Sequence, residues 1–180
     1  MSTLQSDYVS RIDELLRELG IPPNYAELRN LSIQPEAAAT DLVSVGNSPE
    51  GKPCRLIRPA ARAWHSMYAG ARKLDIELQP LSGFRSVERQ AEIIRGKLAV
   101  GENITEILHS IAAPGFSEHH TGRAIDAGSE ESPPLEEVFA DTRAFAWLRL
   151  HAEEHGFKMS FPRHNPHGFV YEPWHWCWQG

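Results

Sequence analysis

The sequence has little cysteine, no long apolar run and no surplus of basic charge. Two cysteines, Cys54 and Cys177, in 180 residues cannot build a disulfide framework and read as reduced, partly buried thiols. No stretch of 18 or more apolar residues occurs, so no segment reads as a membrane span. The first twenty residues lack a basic stretch followed by an apolar one and do not read as a secretory leader. The expectation is a cytoplasmic protein, or an exported one if a leader precedes the given chain. Lys and Arg number 18 against 24 Asp and Glu, a net charge of −6. That balance argues against the basic stripe of a nucleic-acid binder and against a polybasic surface held to anionic lipid. Also absent are a Gly-rich phosphate loop, a Gly-x-Ser-x-Gly nucleophile elbow and any internal repeat.

What is present suits one globular domain: 41% apolar and 23% charged residues, enough to bury a core without staples. Apolar spacings of three and four predict helices over residues 8–19, 60–74, 87–98 and 143–155. Ser86 reads as the N-cap of the third of these, and Asn103 as the cap of a shorter helix through residue 111. Strands are expected over residues 42–45, 54–57, 76–81 and 123–127. A closing strand over 169–178 would set Trp174, Trp176 and Trp178 on one face. Residues 112–122 and 161–168 read as loops. Helices and strands mix without a βαβ rhythm, which predicts an α+β fold: a small, mostly antiparallel sheet flanked by helices. A monomer is expected.

Histidine is over-represented, with nine beside four Tyr and three Met. Ser117-Glu-His-His-Thr-Gly-Arg-Ala-Ile-Asp126 offers an imidazole at His119 and a carboxylate at Asp126, with Gly122 free to turn the chain between them. Zinc accepts both donor types, and a catalytic site takes three protein ligands. Alone, this pair fits a loop histidine and a strand-end aspartate bonded to backbone equally well. Glu172-Pro-Trp-His175 sets a carboxylate three residues before an imidazole. Pro173 forbids a helix there, and in a flat strand positions i and i+3 face apart. The segment must bend for the two to meet. Ser82-Gly-Phe-Arg-Ser86, with Gln90 following, places Arg85 between a strand end and a helix start. Its rigid fork of donors suits an oxyanion or a carboxylate. Cys177 falls on the strand face away from Trp176 and Trp178 and is left out of the ligand set. His164 and His167, in the loop before Glu172, stand as candidates for the site rim.

In that order, the three motifs resemble the VanY-type zinc D-Ala-D-Ala carboxypeptidases, within the wider group of zinc D,D- and L,D-peptidases of peptidoglycan. The resemblance spans residues 82–176; Phe84 stands where the family often has Tyr. It implies one catalytic Zn2+ held by His119, Asp126 and His175, with His120 a bystander. It further implies Glu172 as general base, Arg85 as oxyanion stabiliser, and Gln90 and Ser117 at the substrate. The implied partners are peptidoglycan stem peptides or muropeptides, cut at a C-terminal D-Ala. A peptidoglycan endopeptidase and a zinc-binding module without turnover are the alternatives. On this reading residues 54–180 form a zinc peptidase domain. Residues 1–53 are a helix and loop-rich extension packed on it, one structural domain overall.

Overall fold

The computed structural model describes residues 3–180, with side chains from residue 6 onward. Its strands form two antiparallel sheets. β1 (Leu42–Asn47) and β2 (Pro53–Ile57) make a hairpin with an irregularity between Ser44 and Gly46. β3 (Gln79–Ser82), β4 (Ala124–Gly128), β5 (Phe157–Met159) and β6 (His175–Trp178) form a second sheet in the order β3-β4-β6-β5. Side chains alternate across a strand, so Ile125 and Ala127 of β4 enter the core while Asp126 faces the other way.

Among the described residues, six α-helices cover the sheets: α1 (Thr3–Glu18), α2 (Tyr25–Leu28), α3 (Arg58–Arg72), α4 (Val87–Ala99), α5 (Ile104–Ser110) and α6 (Arg143–His151). They divide between two apolar clusters. The larger sets Trp64 and Met67 of α3 and Leu148 of α6 against Ile125, Phe157 and Trp176 of the sheet. The smaller joins Ile12 and Leu15 of α1, Ile94 of α4 and Ile107 of α5. The polar face of the sheet looks toward this second cluster, and the site lies where the two meet. The caps are those the sequence predicts: Ser86 Oγ accepts from Arg89 N at 3.1 Å, and Asn103 Oδ1 from Thr105 N at 2.8 Å.

The α+β architecture with a small antiparallel sheet is the one expected, and its departures have local causes. The closing strand covers only residues 175–178. Residues 173–174 form a turn, so only Trp176 and Trp178 share a strand face, although the Trp174 carbonyl still accepts from Ala127 N of β4 at 2.8 Å. β3 occupies residues 79–82 rather than 76–81. β5 and α2, at three and four residues, are too short to carry a periodic signal. The last predicted helix ends at His151 and tightens into a 3-10 turn, Ala152–His155, before Gly156. A further 3-10 turn, Glu118–Thr121, interrupts the predicted loop. Cys54 and Cys177 are buried and free.

Ile12 is 0% exposed at the centre of the second cluster. Replacing it with Ala is expected to lower the unfolding free energy by about 2–5 kcal/mol. Urea denaturation checks this; an unchanged midpoint would make α1 an appendage rather than part of the core.

Candidate active site

Strand register assembles the centre of the site. β4 pairs with β6 so that Asp126 lies opposite His175, and with β3 so that Ser82 lies opposite Asp126. The three residues form one row across the sheet on the face turned from the larger core. His119 arrives from the 3-10 turn. Ser117 caps that turn by accepting from His119 N at 3.3 Å, and Gly122 ends it with φ +64°, a left-handed conformation favourable to glycine.

Asp126 bridges the two imidazoles. Its Oδ2 lies 3.2 Å from His119 Nε2 and its Oδ1 3.0 Å from His175 Nδ1. The three residues offer ligand atoms within 4.8 Å of one another, and each is at most 4% exposed. The far nitrogen of each ring is also engaged. His119 Nδ1 donates to the Gly83 carbonyl at 2.7 Å, and His175 Nε2 faces Glu118 Oε2 at 2.9 Å. A carbonyl only accepts, so His119 carries a proton on Nδ1, which leaves Nε2 as the nitrogen that would supply a lone pair to a metal ion. Glu118 is itself held by Ser160 Oγ, which donates at 2.6 Å.

The turn that joins Glu172 to His175 solves the facing problem posed by the sequence. His175 N donates to the Glu172 carbonyl at 3.1 Å, so residues 172–175 form a turn and not a flat strand. Glu172 Oε2 comes to 4.0 Å from His175 Nδ1. Burial pushes its carboxyl up to about 7, against the opposing pull of His175 and Arg85. Burial acts on Asp126 in the same direction, but the two imidazoles overcome it and hold that carboxyl well below the usual range. Burial lowers His175, yet Asp126 and Glu118 together raise it to about 10.

Arg85 closes the constellation. Its Nη1 donates to Gln90 Oε1 at 3.0 Å and its Nη2 to Ser82 Oγ at 3.1 Å, with Nη2 4.0 Å from Asp126 Oδ2. Gln90, expected at the substrate, is 1% exposed, and its Nε2 donates to the Ala112 carbonyl at 2.6 Å. Both ends of its amide are bonded inside the protein, so it braces Arg85 while still lining the cavity. His120 is no ligand, but neither is it idle. Its Nδ1 donates to the Arg85 carbonyl at 2.7 Å and its Nε2 accepts from Gly115 N at 3.0 Å. Arg85 and the rest of the constellation line a cavity of about 480 Å³ whose apolar wall includes Ile93, Phe161 and Trp174. His164 and His167 do not line it; His167 is turned toward the Arg29 carbonyl, 3.0 Å from Nδ1. Cys177 lies behind Glu118 in a separate cleft, its thiol pushed up by burial and by that carboxylate.

The donor set fits zinc. Two imidazoles with fixed outer nitrogens and one carboxylate are a nitrogen and oxygen set that Zn2+ accepts, and three protein donors are the number found in catalytic zinc sites. Glu118 and the Gly83 carbonyl, which orient the histidines, escape sequence inspection. Glu118 acts on a residue 57 positions away, and no local pattern marks that link.

A family model for VanY, D-alanyl-D-alanine carboxypeptidase, matches residues 54–180. The chain belongs to the VanY family. It is 34% identical over 122 residues to YodJ of Bacillus subtilis (strain 168), a protein assigned as a carboxypeptidase; the match covers 66% of this chain and 44% of that one. The chain therefore spans less than half the length of that relative. Among solved structures it resembles the LdcB LD-carboxypeptidase, described for its recognition of peptidoglycan, at 29% identity and a TM-score of 0.72 over 80% of this chain and 70% of that one. It also shares the fold of a vancomycin-resistance D,D-pentapeptidase, VanY, solved as a mutant in complex with Zn(II). Identity there is 23% and the TM-score 0.62, over 85% of this chain and 89% of that one.

The outer hydrogen bond of His175 yields a direct test. Glu118→Gln keeps the shape but removes the charge, and is expected to weaken zinc binding about 10- to 100-fold. Competition against a chromophoric chelator measures this. Unchanged affinity would remove Glu118 from the metal centre.

Proposed function

We propose that this VanY-family chain is a zinc-dependent carboxypeptidase that releases C-terminal D-Ala from peptidoglycan-derived peptides. The observation that carries the reading is Glu172: a buried carboxylate held beside the His119, Asp126 and His175 donors, in the same cavity as Arg85. A structural zinc site needs a fourth protein ligand and no poised base. Here three donors stand with a buried carboxyl beside them, a group that can accept and return a proton.

Each residue has a task. His119, Asp126 and His175 would hold the zinc, whose Lewis acidity makes water acidic near neutral pH and polarises a peptide carbonyl. Glu172 takes a proton from the attacking water and delivers it to the departing amine of D-Ala. Arg85, pinned by Gln90 and Ser82, presents its guanidinium to the carbonyl oxygen as negative charge grows there. Ser117 sets the 3-10 turn that carries His119. Cavity walls of Phe161, Phe169 and Trp174 keep bulk water from the polar centre. The likeness to LdcB favours L,D cleavage of a tetrapeptide over D,D cleavage of a pentapeptide.

Zinc-loaded protein incubated with each stem peptide, with and without chelator, decides the matter by mass spectrometry. Loss of one alanine mass from the tetrapeptide, abolished by chelator, is the expected result; loss from the pentapeptide alone would make the activity D,D. Glu172→Ala should retain zinc and lose about 10²- to 10⁴-fold in kcat. Unchanged turnover in that variant, or no alanine released from either peptide, would overturn the reading.

A further inference from the structure

Phe161 and Glu172 are joined by a loop whose ends meet. Glu172 N donates to the Phe161 carbonyl at 3.0 Å, closing twelve residues on themselves. Compact loops of this length are packed by their own side chains and often carry function. This one holds the Glu172 carboxylate at one end. At the other is the Phe161 ring, whose centroid lies 4.8 Å from that of His175. Phe169 meets Phe161 edge-on at 4.9 Å, and both rings line the catalytic cavity.

Inside the loop lies Asn165, 7% exposed. A side-chain amide has two donor hydrogens and an oxygen with two lone pairs. All four are used, and all within the loop. Nδ2 donates to the Pro162 carbonyl at 3.1 Å and to the Phe169 carbonyl at 2.8 Å. Oδ1 accepts from His167 N and Phe169 N, each at 3.2 Å. Phe169 is thus held by both its backbone groups, three residues before Glu172, while Pro162 directly follows Phe161. The amide therefore ties the two arms of the loop together next to the bond that closes it. His164 beside it holds φ +61°, a left-handed conformation that a non-glycine residue keeps only where its surroundings fix it. None of these bonds reaches His119, Asp126 or His175, which the 3-10 turn and the strand register place.

We propose that Asn165 is a positioning residue for the general base: its amide sets the loop, and the loop sets where the Glu172 carboxylate stands. The inference rests on the reading of Glu172 as that base. Without the amide, two carbonyls and two N–H groups of the loop lose their partners at once. Buried backbone groups do not stay unpaired, so they turn toward water and the loop opens with them. Proton transfer is sensitive to such movement; a displacement of about 1 Å can cost about 100-fold in rate.

The experiment is a double-mutant cycle on the zinc-loaded full chain, assayed on whichever stem peptide the unsubstituted protein cleaves. Asn165→Ala alone is expected to lower kcat about ten- to a hundredfold. Zinc affinity, read by chelator competition, should stay the same. In a Glu172→Ala background the same substitution should cost less than about twofold, because no base remains to be misplaced. A merely structural loss would lower both backgrounds alike. Amide hydrogen exchange supplies a reading without turnover: the Glu172 N–H should exchange faster in Asn165→Ala. Should Asn165→Ala show no cooperative urea transition, Asn165→Asp replaces it, keeping the size and the acceptor oxygen while losing both donor bonds. Equal losses in the two backgrounds, unchanged kcat, weakened zinc binding or unchanged exchange at Glu172 would overturn the assignment. No alanine release by the unsubstituted protein would instead strike the carboxypeptidase reading, and exchange at Glu172 would still judge the loop.

Discussion

Buried negative charge is the constraint on which the site depends. Glu118, Asp126 and Glu172 converge on two imidazoles, and Arg85 supplies the one fixed positive charge among them. Carboxylates taken out of water must be paired or neutralised. The protein does both. Glu172 is driven toward its neutral form by burial, and His175 gathers a proton between Asp126 and Glu118. A divalent cation answers the same need directly. His119, Asp126 and His175 would hold such a cation, and its charge would favour the ionised form of Glu172.

The same constraint explains why so many groups near the centre are spoken for. Imidazoles that ligate well must not rotate, and each is tied at its outer nitrogen, one to a carbonyl and one to a carboxylate. The Gly83 carbonyl can reach His119 because its own residue lies against the hairpin: a Cβ there would come within 2.5 Å of the Arg55 carbonyl. Phe84 N donates to that same carbonyl at 2.7 Å. Thus the hairpin, remote in sequence from the His119, Asp126 and His175 cluster, fixes the loop that orients His119. Arg85 is fixed likewise, with its guanidinium tied to Gln90 and Ser82 and its carbonyl bonded to His120.

Much of this is legible in the sequence, and what is not has a common physical origin. His119, Asp126, His175, Glu172 and Arg85 can be picked out because each sits in a short motif whose spacing restricts the chain locally. Pro173 even signals that the segment before His175 must bend, and it does. The closing strand is shorter than its pattern suggests because the backbone turns at residues 173–174, inside the run of alternating tryptophans. Glu118, His120 and the bracing role of Gln90 are not legible. Their partners are His175, Arg85 and Ala112, and only the folded chain shows which neighbour each meets. Side-chain chemistry is local, whereas hydrogen-bond partnership is set by topology.

Topology also decides how far the working unit extends. The family match begins at residue 54, yet residues 29–37 bond to several of the segments that carry the site. Arg29 donates to the carbonyls of His167 and Gly168 and lies 5.0 Å over the Phe169 ring, which walls the cavity. Gln34 N and Ala37 N each donate at 2.8 Å, to the carbonyls of Gly115 and His120 on either side of His119. Glu36 accepts from Val87 N at 2.6 Å, at the head of the helix that follows Arg85. These contacts cost little chain, yet they reach the Arg85 segment, the His119 turn and the loop leading to Glu172. A catalytic constellation tolerates displacements well below 1 Å. The stretch that holds it still is therefore as much a part of the active site as the stretch that supplies its ligands.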